Sequence, residues 1–193
     1  MRVGILGGSF NPPHEGHVHI SMGAKKALEL DVIWWLVTPQ NPLKSSDETL
    51  PFEQRMALCK KQIEGQSGII ISDLEDMMHS NITYETIHKI KQLFPMTEFV
   101  WISGMDNALS LHTWNRWRDL LKLIPMIHLT RMPATSLIQG APLRMMRTQR
   151  HVFIDKPARY ALKPQTTFWH MQKKMINISS TEIRQRIHFA ESN

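Results

Sequence analysis

Short apolar runs alternate with amphipathic stretches along most of this chain. Residues 2–6 form an apolar run that closes on Gly7-Gly8, the pattern of a buried strand. Residues 17–30 set Val18, Met22, Leu28 and Leu30 among lysines and a glutamate, which predicts a helix. Val32 to Val37 is a second buried strand, stopped at Thr38-Pro39, and residues 39–50 carry the prolines, serines and aspartate of a loop. A helix from Pro51 to Glu64 follows, with proline in its first turn. Further strands are predicted over 68–72, 98–103 and 126–130, and further helices over 83–94 and 114–123. Residues 132–150 show no clean period, 151–154 read as a short strand, and 180–189 as a last helix.

Strands that look buried on both faces, alternating with helices, predict an α/β fold. The expected architecture is a doubly wound parallel sheet forming one domain over residues 1–193. In such sheets ligands bind beyond the carboxyl ends of the strands. The loops at 7–17, 38–46 and 103–107 are therefore where chemistry is to be sought.

Composition narrows the picture. The chain has 193 residues, 42% hydrophobic and 21% charged, an ordinary globular balance. Lys and Arg number 23 against 17 for Asp and Glu, and the formal +6 suggests anionic ligands. The single cysteine, Cys59, excludes an internal disulfide framework and fits a reducing compartment. The N-terminal apolar run is too short for a signal peptide, and no stretch approaches the roughly 20 apolar residues that span a bilayer. These features predict a cytoplasmic protein with no membrane partner.

The loop after the first strand reads Gly7-Gly8-Ser9-Phe10-Asn11-Pro12-Pro13-His14-Glu15-Gly16-His17. Glycines allow close backbone approach, and a following helix offers N–H groups to an anion. The spacing matches neither the dinucleotide fingerprint nor a P-loop. His14 and His17, three residues apart, can face one anion and stabilise charge that develops on it. Helix capping, or zinc ligation with His19, are the competing readings.

Near the far end, Ile178-Ser179-Ser180-Thr181-Glu182-Ile183-Arg184 sets Ser179 and Glu182 as a capping box, with Ile178 and Ile183 as a hydrophobic staple. The helix start, the Ser180 and Thr181 hydroxyls and Arg184 could form a second phosphate-binding cluster, or simply a well-capped surface helix.

The first of these motifs resembles the signature of the bacterial nicotinate-nucleotide adenylyltransferases, within the H-x-G-H nucleotidyltransferase superfamily. The second is similar to that family's I-S-S-T-x-I-R element, and the two lie about 160 residues apart in the expected order. The resemblance implies a Rossmann-like fold in which helix 180–189 completes the ATP site. It implies adenylyl transfer from ATP to nicotinate mononucleotide, giving nicotinate adenine dinucleotide and pyrophosphate in NAD biosynthesis.

Gly7, Gly8, Ser9, Phe10, His14, His17, Ser179, Ser180, Thr181 and Arg184 would then hold ATP. Ser103-Gly104-Met105-Asp106 resembles the family's G-x-D, with Gly104 against adenosine and Asp106 on its ribose. Lys44, a point charge after the second strand, suits a substrate phosphate or the leaving pyrophosphate; its neighbour Leu43 stands where many relatives carry histidine. Residues 80–87 are similar to S-Y-T-x-D-T-L, with Ile82 for Tyr, Glu85 for Asp, and Thr83 retained. The resemblance assigns Asn11, Lys44, Thr83, Trp114, Trp117 and Arg131 to the mononucleotide, and catalysis to His17, His14, Lys44 and Arg184.

Mg²⁺ is expected to arrive with ATP, since no clustered acidic site is visible. Nicotinamide mononucleotide and phosphopantetheine are alternative acceptors. A nucleic-acid-binding module built on the basic 131–150 stretch is an alternative of another class, though no RNA-binding signature accompanies it. That stretch also suits a solvated lid or a subunit contact, which leaves a homo-oligomer open.

Overall fold

The computed structural model describes residues 1–39, 49–80, 82–130, 140–171 and 180–184. Its frame is a seven-stranded sheet in which each neighbouring pair is parallel. The strands are β1 (Arg2–Gly8), β2 (Val32–Val37), β3 (Ile69–Ser72), β4 (Glu98–Gly104), β5 (Met126–Leu129), β6 (Arg150–Phe153) and β7 (Thr166–His170), in the spatial order β3-β2-β1-β4-β5-β7-β6.

Alternation along the strands separates two cores. Ile33, Trp35 and Val37 of β2 and Val100 and Ile102 of β4 belong to the core that takes in α1 (Glu15–Ala27) and α2 (Phe52–Gln62). Val3, Ile5, Phe99 and Trp101 belong to the opposite core, with α4 (Thr83–Leu93), α5 (Met105–Ser110) and α6 (Trp117–Leu123). Helices on both faces of a parallel sheet are the doubly wound arrangement expected from strands apolar at consecutive positions. A four-residue helix, α3 (Leu74–Met77), bridges β3 towards α4.

Strand order reverses between β1 and β4, since β2 and β3 lie outward of one and β5 outward of the other. A crevice forms at the carboxyl ends where the order turns. Gly7 and Gly8 end β1, and Gly104 ends β4, at that crevice.

The structure departs from the pattern in three places. β7 lies between β5 and β6, in a stretch where no strand is predicted; the crossover over 154–165 contains no helix, so no strand–helix–strand period announces it. The segment expected to be a loop at 103–107 turns straight into α5. The helix predicted over 114–123 starts only at Trp117, because Arg116 has left-handed backbone (φ 54°) that interrupts it. Arg116 is held there with its guanidinium 3.8 Å from the Tyr84 ring centre.

Candidate active site

The loop after β1 is shaped by its own side chains. Phe10 has left-handed backbone (φ 47°) and is nearly fully buried, its ring stacked 4.8 Å from Trp35. The same ring lies 4.8 Å from His17. The Asn11–Pro12 peptide is cis.

His14 is the N-cap of α1, with extended backbone at φ −154° and ψ 169°. Its Nδ1 accepts from the Gly16 N–H at 3.1 Å, and the Nδ1 of His17 accepts from the His14 N–H at 3.2 Å. The two histidines thus form a capping box between themselves, the role that Ser and Glu usually fill. The consequence is chemical. An imidazole nitrogen that accepts from a backbone amide carries no hydrogen, so each neutral ring has its hydrogen on Nε2. The rings lie 3.9 Å apart, and both residues line the same cavity. Capping, one of the readings open to this pair in the sequence, is what the geometry shows, and it fixes the tautomer of both neutral rings.

That cavity encloses about 890 Å³ at the crevice between β1 and β4. Gly7, Gly8, Ser9, Phe10, Asn11, His14 and His17 line one side, and Gly104, Asp106 and Trp114 another. Thr83 and Ile82 approach from the start of α4, and Ser180 and Thr181 complete the rim. Ser180 Oγ donates to the Pro12 carbonyl at 2.9 Å, and Arg184 donates to the Asn11 carbonyl at 2.6 Å. The two motifs therefore meet directly. Arg184 braces the loop and also approaches Thr181 Oγ1 at 3.4 Å, but it is not among the lining residues. Asn11 is likewise partly structural, its Oδ1 accepting from the Leu50 N–H at 3.1 Å.

One of the assigned residues lies away from this cavity. Trp117 lies in the core with Ile87, Ile90 and Leu120 and does not line the cavity. It is the first residue of α6 after the Arg116 turn, and that turn brings it under the sheet. Trp114 alone of the pair lines the site, edge-on to Trp101 at 6.0 Å and 89°. Lys44, Arg131 and Ser179 lie outside the described residues.

Several residues at the site carry no sequence signal. Arg55, in α2, is 1% exposed, and its guanidinium donates to the carbonyls of Leu50, Ser9, Thr38 and Pro39 at 2.6–2.8 Å. It ties the loops after β1 and β2 together. Trp101 packs across Gly7, which a side chain would displace. Glu75, in α3, is a buried carboxyl that lines the cavity; burial pushes its pKa up to about 7 while hydrogen bonds from Thr38 and Thr86 pull the other way. His128 is buried beside Ser103 (Oγ to Nδ1 2.8 Å), and burial lowers its pKa to about 4.

Six buried side-chain atoms among the described residues lack a hydrogen-bond partner, and Ser9 Oγ, Glu75 Oε2 and Trp101 Nε1 are three of them. All three belong to residues lining this cavity, where unsatisfied polar groups are expected if function placed them.

Among the described residues no group of three or more His, Cys, Asp and Glu side chains could hold a metal ion, so the three-histidine zinc reading finds no constellation there. No described helix is long and apolar enough to cross a membrane. In the basic stretch, the described part forms a 3₁₀ turn (Pro142–Met145) with Leu143 buried and Arg144 5.5 Å from the Phe153 ring centre.

Residues 5–186 match the family model described as cytidylyltransferase-like. A probable nicotinate-nucleotide adenylyltransferase of Caulobacter sp. (strain K31) is 44% identical over 142 residues, 74% of this chain and 75% of its own. One from Gluconobacter oxydans (strain 621H) is 35% identical over 190 residues, covering 98% of this chain and 96% of its own. The fold is similar to that of Plasmodium falciparum nicotinic acid mononucleotide adenylyltransferase complexed with NaAD. The TM-score is 0.70 at 20% identity, over 95% of this chain and 82% of that one.

Proposed function

The chain belongs to the cytidylyltransferase-like family and, within it, to the nicotinate-nucleotide adenylyltransferases, and from that premise we infer how its own residues carry out the transfer. The reaction moves the adenylyl group of ATP to nicotinate mononucleotide. The observation that carries the reading is the meeting of the β1 loop with Ser180 and Thr181 on one cavity at the turn of strand order.

The phosphate of nicotinate mononucleotide attacks the α-phosphorus of ATP in line. A new P–O bond forms as the bond to the bridging oxygen of pyrophosphate breaks, and pyrophosphate leaves with that electron pair. No enzyme nucleophile is needed, so transfer is direct, and catalysis consists of positioning and charge stabilisation. His14 and His17 present Nε2–H donors to the transferring phosphate, fixed by the backbone amides that hold Nδ1. Gly7, Gly8, Ser9 and Phe10 let the backbone approach the nucleotide, with Ser180 and Thr181 on the opposite rim, the Ser180 hydroxyl donating to the Pro12 carbonyl of the loop. Asp106 accepts from the ribose hydroxyls beside Gly104. Asn11, Thr83 and Trp114 line the acceptor end, and Lys44 and Arg131 are assigned there for their charge. Ser179, outside the described residues, is assigned to ATP from the motif alone, and Arg184 acts chiefly by holding the Asn11 carbonyl.

Bound together with ATP, Mg²⁺ would supply neutralisation of the charge that builds on the leaving pyrophosphate. A cytoplasmic location follows from the same reading, with ATP and nicotinate mononucleotide as the partners; a homo-oligomer is neither required nor opposed by it.

The test is incubation of the purified protein with ATP, Mg²⁺ and each candidate acceptor in turn, with pyrophosphate as the readout. Release with nicotinate mononucleotide well above that with nicotinamide mononucleotide or phosphopantetheine is expected. No release with any acceptor, together with salt-sensitive RNA binding, would replace the enzyme with a nucleic-acid module.

A further inference from the structure

Glu75 is an expensive residue for its place. It is 3% exposed on α3, and among the described residues no cation reaches it: the groups at its carboxyl are the hydroxyls of Thr38 and Thr86. One oxygen, Oε2, is enclosed without any partner. Taking a carboxyl out of water with so little in return costs stability, and an apolar side chain of similar size would fill the space better. Residues that violate the packing rules in this way concentrate at functional sites. Glu75 also lines the cavity, between Thr38 and the start of α4.

Its two partners locate the effect. Thr38 directly follows β2, and its backbone carbonyl is one of those gripped by Arg55. Thr86 is fully buried in α4, three residues after Thr83, and its hydroxyl lies 3.3 Å from Ser80 Oγ. Ser80, Thr86 and Glu75 thus form a buried polar thread from the segment before α4 to the carboxyl end of β2. The first turn of α4 has no side-chain cap at Ile82; Thr86 holds that turn through its own N–H to the Ile82 carbonyl at 3.1 Å, so a pull on Thr86 is felt at Thr83.

We propose that Glu75 is a positioning residue for the acceptor half of the site, its carboxyl tying Thr38 at the end of β2 to Thr86 of α4 and so holding Thr83 at its working distance from the β1 loop. The inference rests on the functional reading above, in which Thr83 lies at the mononucleotide end. The ATP end, built on the β1 loop, Gly104 and Ser180, puts no side chain on this thread; Thr38 meets it only through backbone, which Arg55 and the Gly8 carbonyl hold independently of Glu75. Losing the tie should therefore weaken one substrate and spare the other.

The experiment is steady-state kinetics on the full chain with each substrate varied, for the wild type, Glu75→Leu, Glu75→Gln and Thr86→Val, with thermal melts alongside. Glu75→Leu should raise KM for nicotinate mononucleotide about tenfold, the scale of a small misplacement. KM for ATP and kcat should stay within about threefold, and Tm should not fall, since a buried unpaired carboxyl is removed. Glu75→Gln, which still accepts from both threonines, should restore KM to near the wild-type value. An unchanged KM for the mononucleotide in Glu75→Leu, or equal losses for both substrates, overturns the proposal. Should Glu75→Leu fail to fold, Thr86→Val decides: a selective rise supports the tie, and no selective rise removes it. Failure of the functional reading is separate and appears first, as a wild-type enzyme that releases no pyrophosphate with the mononucleotide.

Discussion

Gly7 and Gly8 are adjacent, both line the cavity, and both look in the sequence like phosphate-loop glycines. The structure gives them different duties. A Cβ on Gly7 would fall within the Trp101 indole, 2.9 Å from Cζ2 and 3.3 Å from Cζ3, with Cη2 nearer still. Trp101 is 3% exposed and its ring cannot bend away. A Cβ on Gly8 would meet only the Phe10 ring at 3.6–3.9 Å, ordinary contact. Overpacking a buried site costs typically 1–3 kcal/mol, and a rigid ring puts Gly7→Ala at about 3. Alanine recovers about 1 kcal/mol of unfolded-chain entropy, leaving a net loss of about 2 kcal/mol. For 193 residues that is a fall in Tm of about 4–8 °C. Gly8→Ala should melt within about 2 °C of the wild type, yet raise KM for ATP about tenfold by standing off the phosphates. Thermal melts and ATP-dependent pyrophosphate release read both. Equal melting of Gly7→Ala and wild type would refute the claim that Gly7 exists for Trp101; a large stability loss in Gly8→Ala would refute the division of labour.

The histidine cap separates stability from rate. Asparagine caps as well as most residues, so His14→Asn should keep stability to within about 0.5 kcal/mol while lowering turnover, and His17→Ala should lower turnover by about 10² or more; both are read by single-turnover rates and urea melts. Arg55→Lys cannot reach the four carbonyls that the guanidinium holds and should cost about 3 kcal/mol in urea unfolding, despite conserved charge. Glu75 makes stability depend on pH. Its folded pKa of about 7 lies above the unfolded 4.5, so its contribution is full below about pH 4.5 and is lost as pH rises towards 7. The loss amounts to about 3 kcal/mol at most, and the stability of Glu75→Gln relative to wild type should climb across that window in urea melts at stepped pH; a constant difference would contradict the burial argument.

The architecture was largely legible because strands β1 to β5 are apolar on both faces, and a run such as Val32–Val37 has no other stable place. The β1 loop and the 180–184 segment were legible as motifs. What escaped was set by long-range contact. β7 is five residues beginning with two threonines, and it becomes interior only because β5 and β6 flank it. Trp117 and Trp114 are alike in sequence, and the backbone turn at Arg116 alone sends one inward. Arg55 and Glu75 look like ordinary charges on helix surfaces; their burial depends on loops that close over them from elsewhere in the chain.

The hydrogen bonds from Ser180 and Arg184 to Pro12 and Asn11 have a consequence for synthesis. A nascent chain on the ribosome can assemble the earlier strands while the cavity proposed for ATP still lacks a wall. On the proposed reading, activity should then switch on only after residues 180–184 clear the exit tunnel and dock, so that products stalled or truncated before them consume no ATP.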